Sequence, residues 1–242
     1  MPRPVTLPTT LALIALIVPA CISIERGDTI FRVDTAHREE ESTLRRELWR
    51  VDRAAEDIRV RYGLEDTTIE VIVGDLGGLG QTSPALSGLA DVSGAVVHLN
   101  KLIFLEEHPD LDQIIEGLLA HELMHALHYA RMSTRDLVTL GERYDAMMSD
   151  PDGPQREWVR AYERLTDLMT IRMGYGESLI HQKRASEDNL ARNHPPLVWD
   201  FYLHEDEIGA LLEDPAALER ETAAMLEAVG LESLARLNAA LD

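Results

Sequence analysis

The sequence predicts an α+β domain: a small, mainly antiparallel sheet packed on a buried helix, with a helix-rich C-terminal part. Three observations predict it. Thr68–Val73 is a β-branched run, and Gly94–Asn100 offers a second strand-like stretch. From Pro109 onward, apolar residues recur at three- and four-residue steps, the period of a helix face. The 242 residues are 45% hydrophobic and 27% charged, enough to bury a core without disulfide staples.

The elements follow in order. Residues 1–20 read as a signal peptide, with Arg3 at the start and an apolar stretch Leu11–Val18 too short to span a bilayer. Val18-Pro19-Ala20-Cys21 resembles a bacterial lipobox. That resemblance implies cleavage before Cys21, acylation of Cys21 and a place in the cell envelope; Ile22, not being Asp, favours the outer membrane. An ordinary secretory signal or an uncleaved anchor is the plainer alternative. Residues 21–34 read as a tether, and 35–242 as the folded domain. Leu44, Leu48, Val51, Ala55 and Ile58 mark an amphipathic helix that Gly63 is placed to end. Strand 68–73 leads into a glycine-rich loop, Gly74–Gly80. No Gly-Lys-Ser/Thr follows and the glycine spacing fits no dinucleotide fingerprint, so it is read as a plain loop. The next strand, Gly94–Asn100, is expected to pair with the stretch around Leu86–Asp91.

Pro109, Asp110 and Asp112 suit the start of a helix whose buried stripe is Ile114, Ile115, Leu118, Leu119, Leu123, Ala126 and Leu127. Met147–Pro154 breaks the pattern as a loop. A helix runs from about Arg156 to Met173 and closes at Gly174 or Gly176. His204-Glu205-Asp206-Glu207 reads as an acidic helix start. Asp214-Pro215 opens a helix that Gly230 closes, and a short helix ends the sequence.

Charge and cysteine content exclude whole classes of function. Acidic residues number 43 against 23 basic, a formal net charge of -20. Such a surface repels nucleic acid backbones and anionic lipid. Only Lys101 and Lys183 are lysines. A single cysteine permits no intrachain disulfide and no Cys-rich zinc site.

The chemistry sits in His121-Glu122-Leu123-Met124-His125. Histidines four apart lie about 40° apart around a helix and one turn along it, so both imidazoles can reach one metal ion. Glu122 lies about 100° round from His121, suited to the metal's water rather than the metal. Zinc takes nitrogen and oxygen ligands tetrahedrally, and catalytic sites keep one position for water. A third ligand is needed. His128 is one turn too far and is expected beside the site or at the surface, and Arg131 stands where a metzincin needs its third histidine. Downstream acids are Glu142, Glu157 and Glu163, with Asp167 one turn beyond Glu163 on the same face. The plainer alternative for Glu163 and Asp167 is a solvent-facing pair.

Glu163-Arg164-Leu165-Thr166-Asp167 together with the two histidines resembles the gluzincin metallopeptidases. The resemblance implies Zn2+ held by His121, His125 and Glu163, with Asp167 accepting a hydrogen bond from a ligating imidazole, His121. A narrower resemblance is to the HtpX-like peptidases. It is carried by Ser93–Leu99, by Glu163–Asp167 with Thr166 in place of that family's Ala, and by Asn193-His194-Pro195-Pro196. The match covers about Gly88 to Pro196, and a zincin-like metallopeptidase domain is expected over 35–242. A peptide substrate would add along a Val96–Leu99 edge, Glu122 would act as general base and His194 would stabilise the oxyanion. Tyr175, His181, Tyr202 and His204 are further candidates for that last role. Two competing readings stand beside a membrane-anchored peptidase. One is a non-enzymatic envelope lipoprotein acting as scaffold or partner-binding module; the other is a hydrolase of peptidoglycan peptides.

Overall fold

The computed structural model describes residues 22–26, 29–33, 38–76, 79–87, 91–193 and 201–241. The signal segment 1–20, Cys21 and the His194-Pro195-Pro196 segment lie outside the described residues.

The described residues form an α+β fold. Strands β1 (Ile22–Arg26) and β2 (Thr29–Val33) pair antiparallel. They correct the tether expected over 21–34, which contributes two strands to the sheet. Helix α1 (Arg38–Tyr62) follows and ends at Gly63, whose φ of 63° is a left-handed backbone that glycine adopts without strain. Then come β3 (Thr68–Gly74), β4 (Gly80–Ser87) and β5 (Asp91–Asn100). The sheet order is β1-β2-β3-β5-β4.

The sheet is mixed rather than mainly antiparallel. β2–β3 and β3–β5 are parallel, whereas β1–β2 and β4–β5 are antiparallel. Connection length explains this. A parallel pair needs a long crossover, and α1 supplies one between β2 and β3. The short connection between β4 and β5 makes a hairpin, which leaves β5 inside the sheet and β4 at its edge. The Val96–Leu99 stretch therefore lies between β3 and β4 and cannot receive an added strand. Pro84, which lacks an N–H, sits on β4 as an edge strand allows.

Ile69, Val71 and Val73 are buried and Glu70 and Ile72 only half-buried, so the sheet commits one face to the core. Leu44, Leu48, Val51, Ala55 and Ile58 of α1 pack into the same core. After the short α2 (Leu102–Leu105) comes α3 (Leu111–Arg131), buried continuously from Gly117 to Tyr129. A helix buried around its whole circumference belongs at the centre of a fold, and its polar residues there, His121, Glu122, His125 and His128, need partners. Helix α4 (Thr134–Ser149) is capped by the Ser133 hydroxyl, which accepts from Asp136 N at 3.2 Å.

Helix α5 (Arg156–Thr170) stops earlier than its sequence pattern suggests. It runs into a π-helical turn, Ile171–Tyr175, where Gly174 takes φ 92° and redirects the chain into α6 (Gly176–Asn193). That turn lets α6 return across α3. A side chain at Gly117 would run into the Ser178–Leu179 backbone, so the close α3–α6 approach depends on that glycine. Helices α7 (Glu205–Glu213), α8 (Pro215–Val229) and α9 (Glu232–Ala240) complete the fold, with Pro215 opening α8 and Gly230 ending it as expected.

Candidate metal centre

Two helices meet at the site. His121, Glu122 and His125 come from α3 and are all buried. Helix α5 turns Glu163, Thr166, Asp167 and Thr170 inward, so this polar-looking face is not solvated. The two threonines satisfy themselves: Thr166 Oγ1 donates to Tyr162 O at 3.0 Å and Thr170 Oγ1 to Thr166 O at 2.8 Å.

His121 Nε2 and His125 Nε2 are 3.2 Å apart, and Glu163 Oε2 lies 3.4 Å from the first and 3.3 Å from the second. This nearly equilateral triangle of ligand atoms could hold a metal ion. Glu163 Oε2 is buried, makes no hydrogen bond of good geometry and faces only the two imidazole Nε2 atoms, a position that suits a cation. Glu163 Oε1 accepts from the Tyr144 hydroxyl. Burial disfavours the Glu163 charge, yet His125 and His121 outweigh it and hold its pKa well below the usual carboxylate range.

Each imidazole is fixed from behind. His121 Nδ1 is 2.8 Å from Asp167 Oδ1. Asp167 also takes Lys183 Nζ at 3.0 Å and Leu203 N–H at 2.9 Å. Burial alone would raise the Asp167 pKa, but Lys183, His121 and the Leu203 amide lower it. Burial works against a charged His121, but the charge and hydrogen bond of Asp167, with Glu163, raise its pKa to about 9 against the opposing charge of Lys183. His125 Nδ1 is 3.2 Å from the Tyr162 hydroxyl oxygen. His128 is fully buried, with Nδ1 3.2 Å from the same oxygen and Nε2 3.3 Å from Met169 Sδ. Burial and the neighbouring histidines push its pKa well down, so it is neutral. It stands behind the site, neither ligand nor surface residue.

Glu122 points to β4. Its Oε2 accepts from Thr82 Oγ1 at 2.7 Å, and Tyr129 Oη donates to Thr82 O at 3.2 Å. Gly80 makes room for the carboxylate: a Cβ there would lie 2.9 Å from Glu122 Cδ and 2.8 Å from Leu118 Cδ1.

The structure brings together His121, His125, Glu163 and Asp167, with Glu122 next to His121 on α3 and turned to Thr82. Glu142 and Glu157 are exposed and apart from the cluster. Of the further oxyanion candidates, Tyr202 stands beside the site, its ring 5.6 Å from that of His121. Tyr175 packs on Tyr62, His181 pairs with Asp110 at 3.2 Å, and His204 begins α7. His194 lies outside the described residues. Sequence reasoning missed Gly80, Thr82, Tyr129, Tyr144, Tyr162 and Lys183 as parts of the site. Tyr129, one turn beyond His125, and Tyr162, next to Glu163, had a signal in their spacing; Thr82 had none.

The cluster defines the molecule as an α+β protein with a candidate metal centre of two histidines and one carboxylate. A comparison with protein-family models, curated proteins and solved structures finds no significant match to this chain.

Proposed function

We propose that the protein is a zinc-dependent peptidase of the gluzincin type, held in the cell envelope through an acylated Cys21. The observation that carries the reading is the ligand triangle, with Glu163 Oε2 facing the two imidazoles. Nitrogen and oxygen ligands held tetrahedrally about 2.0 Å from zinc stand about 3.3 Å from one another. The three separations here are 3.2, 3.3 and 3.4 Å. When bound, zinc polarises the scissile carbonyl and lowers the pKa of its water toward ~7.

The chain's own residues do the rest. Glu122 takes the proton of the attacking water and delivers it to the leaving amine. Thr82 and Gly80 set its position: one by a hydrogen bond to Oε2, the other by leaving space for the carboxylate. Because both sit on β4, a peptide added to the β4 edge would pass beside Glu122. The Thr82 carbonyl is already taken by Tyr129, and Pro84 offers no N–H, so the pairing is short. The oxyanion donor is assigned to His194 by resemblance, with Tyr202 beside His121 as the described alternative. A purely structural metal site has no use for a buried general base, which favours an enzyme over a scaffold.

The test measures zinc per chain by mass spectrometry and turnover of casein and of muropeptides, in wild type and Glu122→Gln. The expected result is about one zinc in both proteins, with turnover only in wild type. Turnover retained by the glutamine variant, or wild type that takes up no zinc, would refute the reading. Zinc without turnover of either substrate would turn it to the partner-binding alternative.

A further inference from the structure

We infer that Tyr162, His128 and Met169 form a directed hydrogen-bond chain that holds His125 in its Nδ1–H tautomer, keeping the Nε2 lone pair on the ligand triangle. The inference builds on the metal-centre reading for its purpose, but its geometry stands by itself.

The direction is worked from the far end. A thioether sulfur can only accept a hydrogen bond. Met169 Sδ is 3.3 Å from His128 Nε2, so His128 carries its proton on Nε2 and donates it there. His128 is 0% exposed and its two ring nitrogens meet only a thioether and a phenol, with no carboxylate against the ring to hold a second proton, so Nδ1 is bare and the Tyr162 oxygen 3.2 Å away must donate to it. A phenol has one proton. With that proton given to His128, Tyr162 can only accept from its other neighbour, His125 Nδ1, also at 3.2 Å. His125 therefore holds its proton on Nδ1 and presents a bare Nε2, 3.3 Å from Glu163 Oε2 and 3.2 Å from His121 Nε2.

The surroundings fix this arrangement. Tyr162 is fully buried and lies parallel to Trp158, with ring centroids 6.0 Å apart and planes 3° apart. Met169 and Tyr162 are seven residues apart, two turns along the same face of α5, as the two ends of the chain require. His128 is 0% exposed, in a stretch of α3 where an apolar side chain would fill the space at less cost in desolvation. A hydrogen-bonding role explains a histidine there. The two ligands are thus backed differently: His121 by a carboxylate, His125 by a neutral phenol whose own proton points away. Tyr162, His128 and Met169 are positioning residues, acting on the metal only through His125.

The test separates this inference from the metal-centre reading. Imidazole tautomers are read by long-range 1H–15N NMR on the metal-free full chain, and zinc affinity by competition with a chelator. Wild-type His125 is expected as the Nδ1–H tautomer. Tyr162→Phe should give a tautomer mixture and roughly 10–100-fold weaker zinc binding. Met169→Leu, which keeps volume and removes only the sulfur, should shift both readouts the same way by less. A merely structural role for Met169 would leave the His125 tautomer unchanged. Full zinc affinity with His125 protonated on Nε2 in the metal-free wild type would overturn the hydrogen-bond chain and leave the metal centre standing. An Nδ1–H tautomer in a protein that binds no zinc would uphold the chain and overturn the metal centre.

Discussion

Replacing Gly80 by Ala isolates the placement of Glu122 from metal binding. The new Cβ would stand 2.9 Å from Glu122 Cδ and 2.8 Å from Leu118 Cδ1. Carbon atoms in contact settle about 3.5–4.0 Å apart, so the carboxylate must retreat by roughly 0.6–1 Å. It is tied to Thr82 Oγ1 at 2.7 Å, and a retreat of that size breaks or bends the bond. A displacement of about 1 Å in a catalytic group can lower the rate about 100-fold. Stability should fall less. Overpacking costs about 1–3 kcal/mol, and exchanging glycine for alanine in a permitted conformation returns about 0.4–1 kcal/mol. The φ of Gly80 is not positive, so alanine can adopt the backbone. The assay compares kcat/KM on casein, zinc per chain and Tm with wild type. Expected is a loss of about 100-fold in kcat/KM with zinc content intact. A variant within twofold of wild type in kcat/KM, or one that loses its zinc, would show that Gly80 does not act through Glu122.

Three further outcomes are expected. Glu163→Ala should abolish zinc uptake, whereas Glu142→Ala, at an exposed position, should bind zinc as wild type does by mass spectrometry. His121 is protonated below about pH 9 in the metal-free protein, and a ligand must be deprotonated. Zinc binding at pH 7–8 should therefore release about one proton, and affinity should drop roughly tenfold per pH unit from 9 to 7; pH-independent affinity in a chelator titration would contradict this. Lys183→Met removes a buried cation that sits 3.0 Å from buried Asp167. Breaking such a pair costs about 3–5 kcal/mol; Asp167 keeps two other donors, so a loss of about 3 kcal/mol by denaturant unfolding is expected.

Much of this centre was legible in the sequence, because helical spacing is local chemistry. His121, Glu122 and His125 are placed by one helix, and Glu163 with Asp167 by another. The parts that were not legible arrive from distant elements with no pattern of their own. Strand β4 reads Gly-Gln-Thr-Ser-Pro-Ala-Leu-Ser, without apolar alternation and with a proline, so neither Thr82 nor Gly80 announced itself. Lys183 lies on the polar-looking α6 and becomes a site residue only because the Gly174 turn folds that helix back. The first two strands were readable and misread. Ile22-Ser-Ile and Thr29-Ile-Phe flank Gly27-Asp28, a pattern that fits a two-residue hairpin turn. The mixed sheet was out of reach, because strand order depends on which edge each returning segment finds.

Strand β1 starts at Ile22, the residue that follows Cys21 in sequence. With Cys21 acylated, the lipid would be fastened directly to one margin of the sheet. The strand carrying Gly80 and Thr82 occupies the opposite margin. Four strand spacings separate the two, roughly 19 Å at about 4.8 Å each. Such an attachment would act as a short post rather than a leash. It would confine cleavage to polypeptide passing within a couple of nanometres of the membrane surface, so that reach, as much as side-chain preference, would select what is cut.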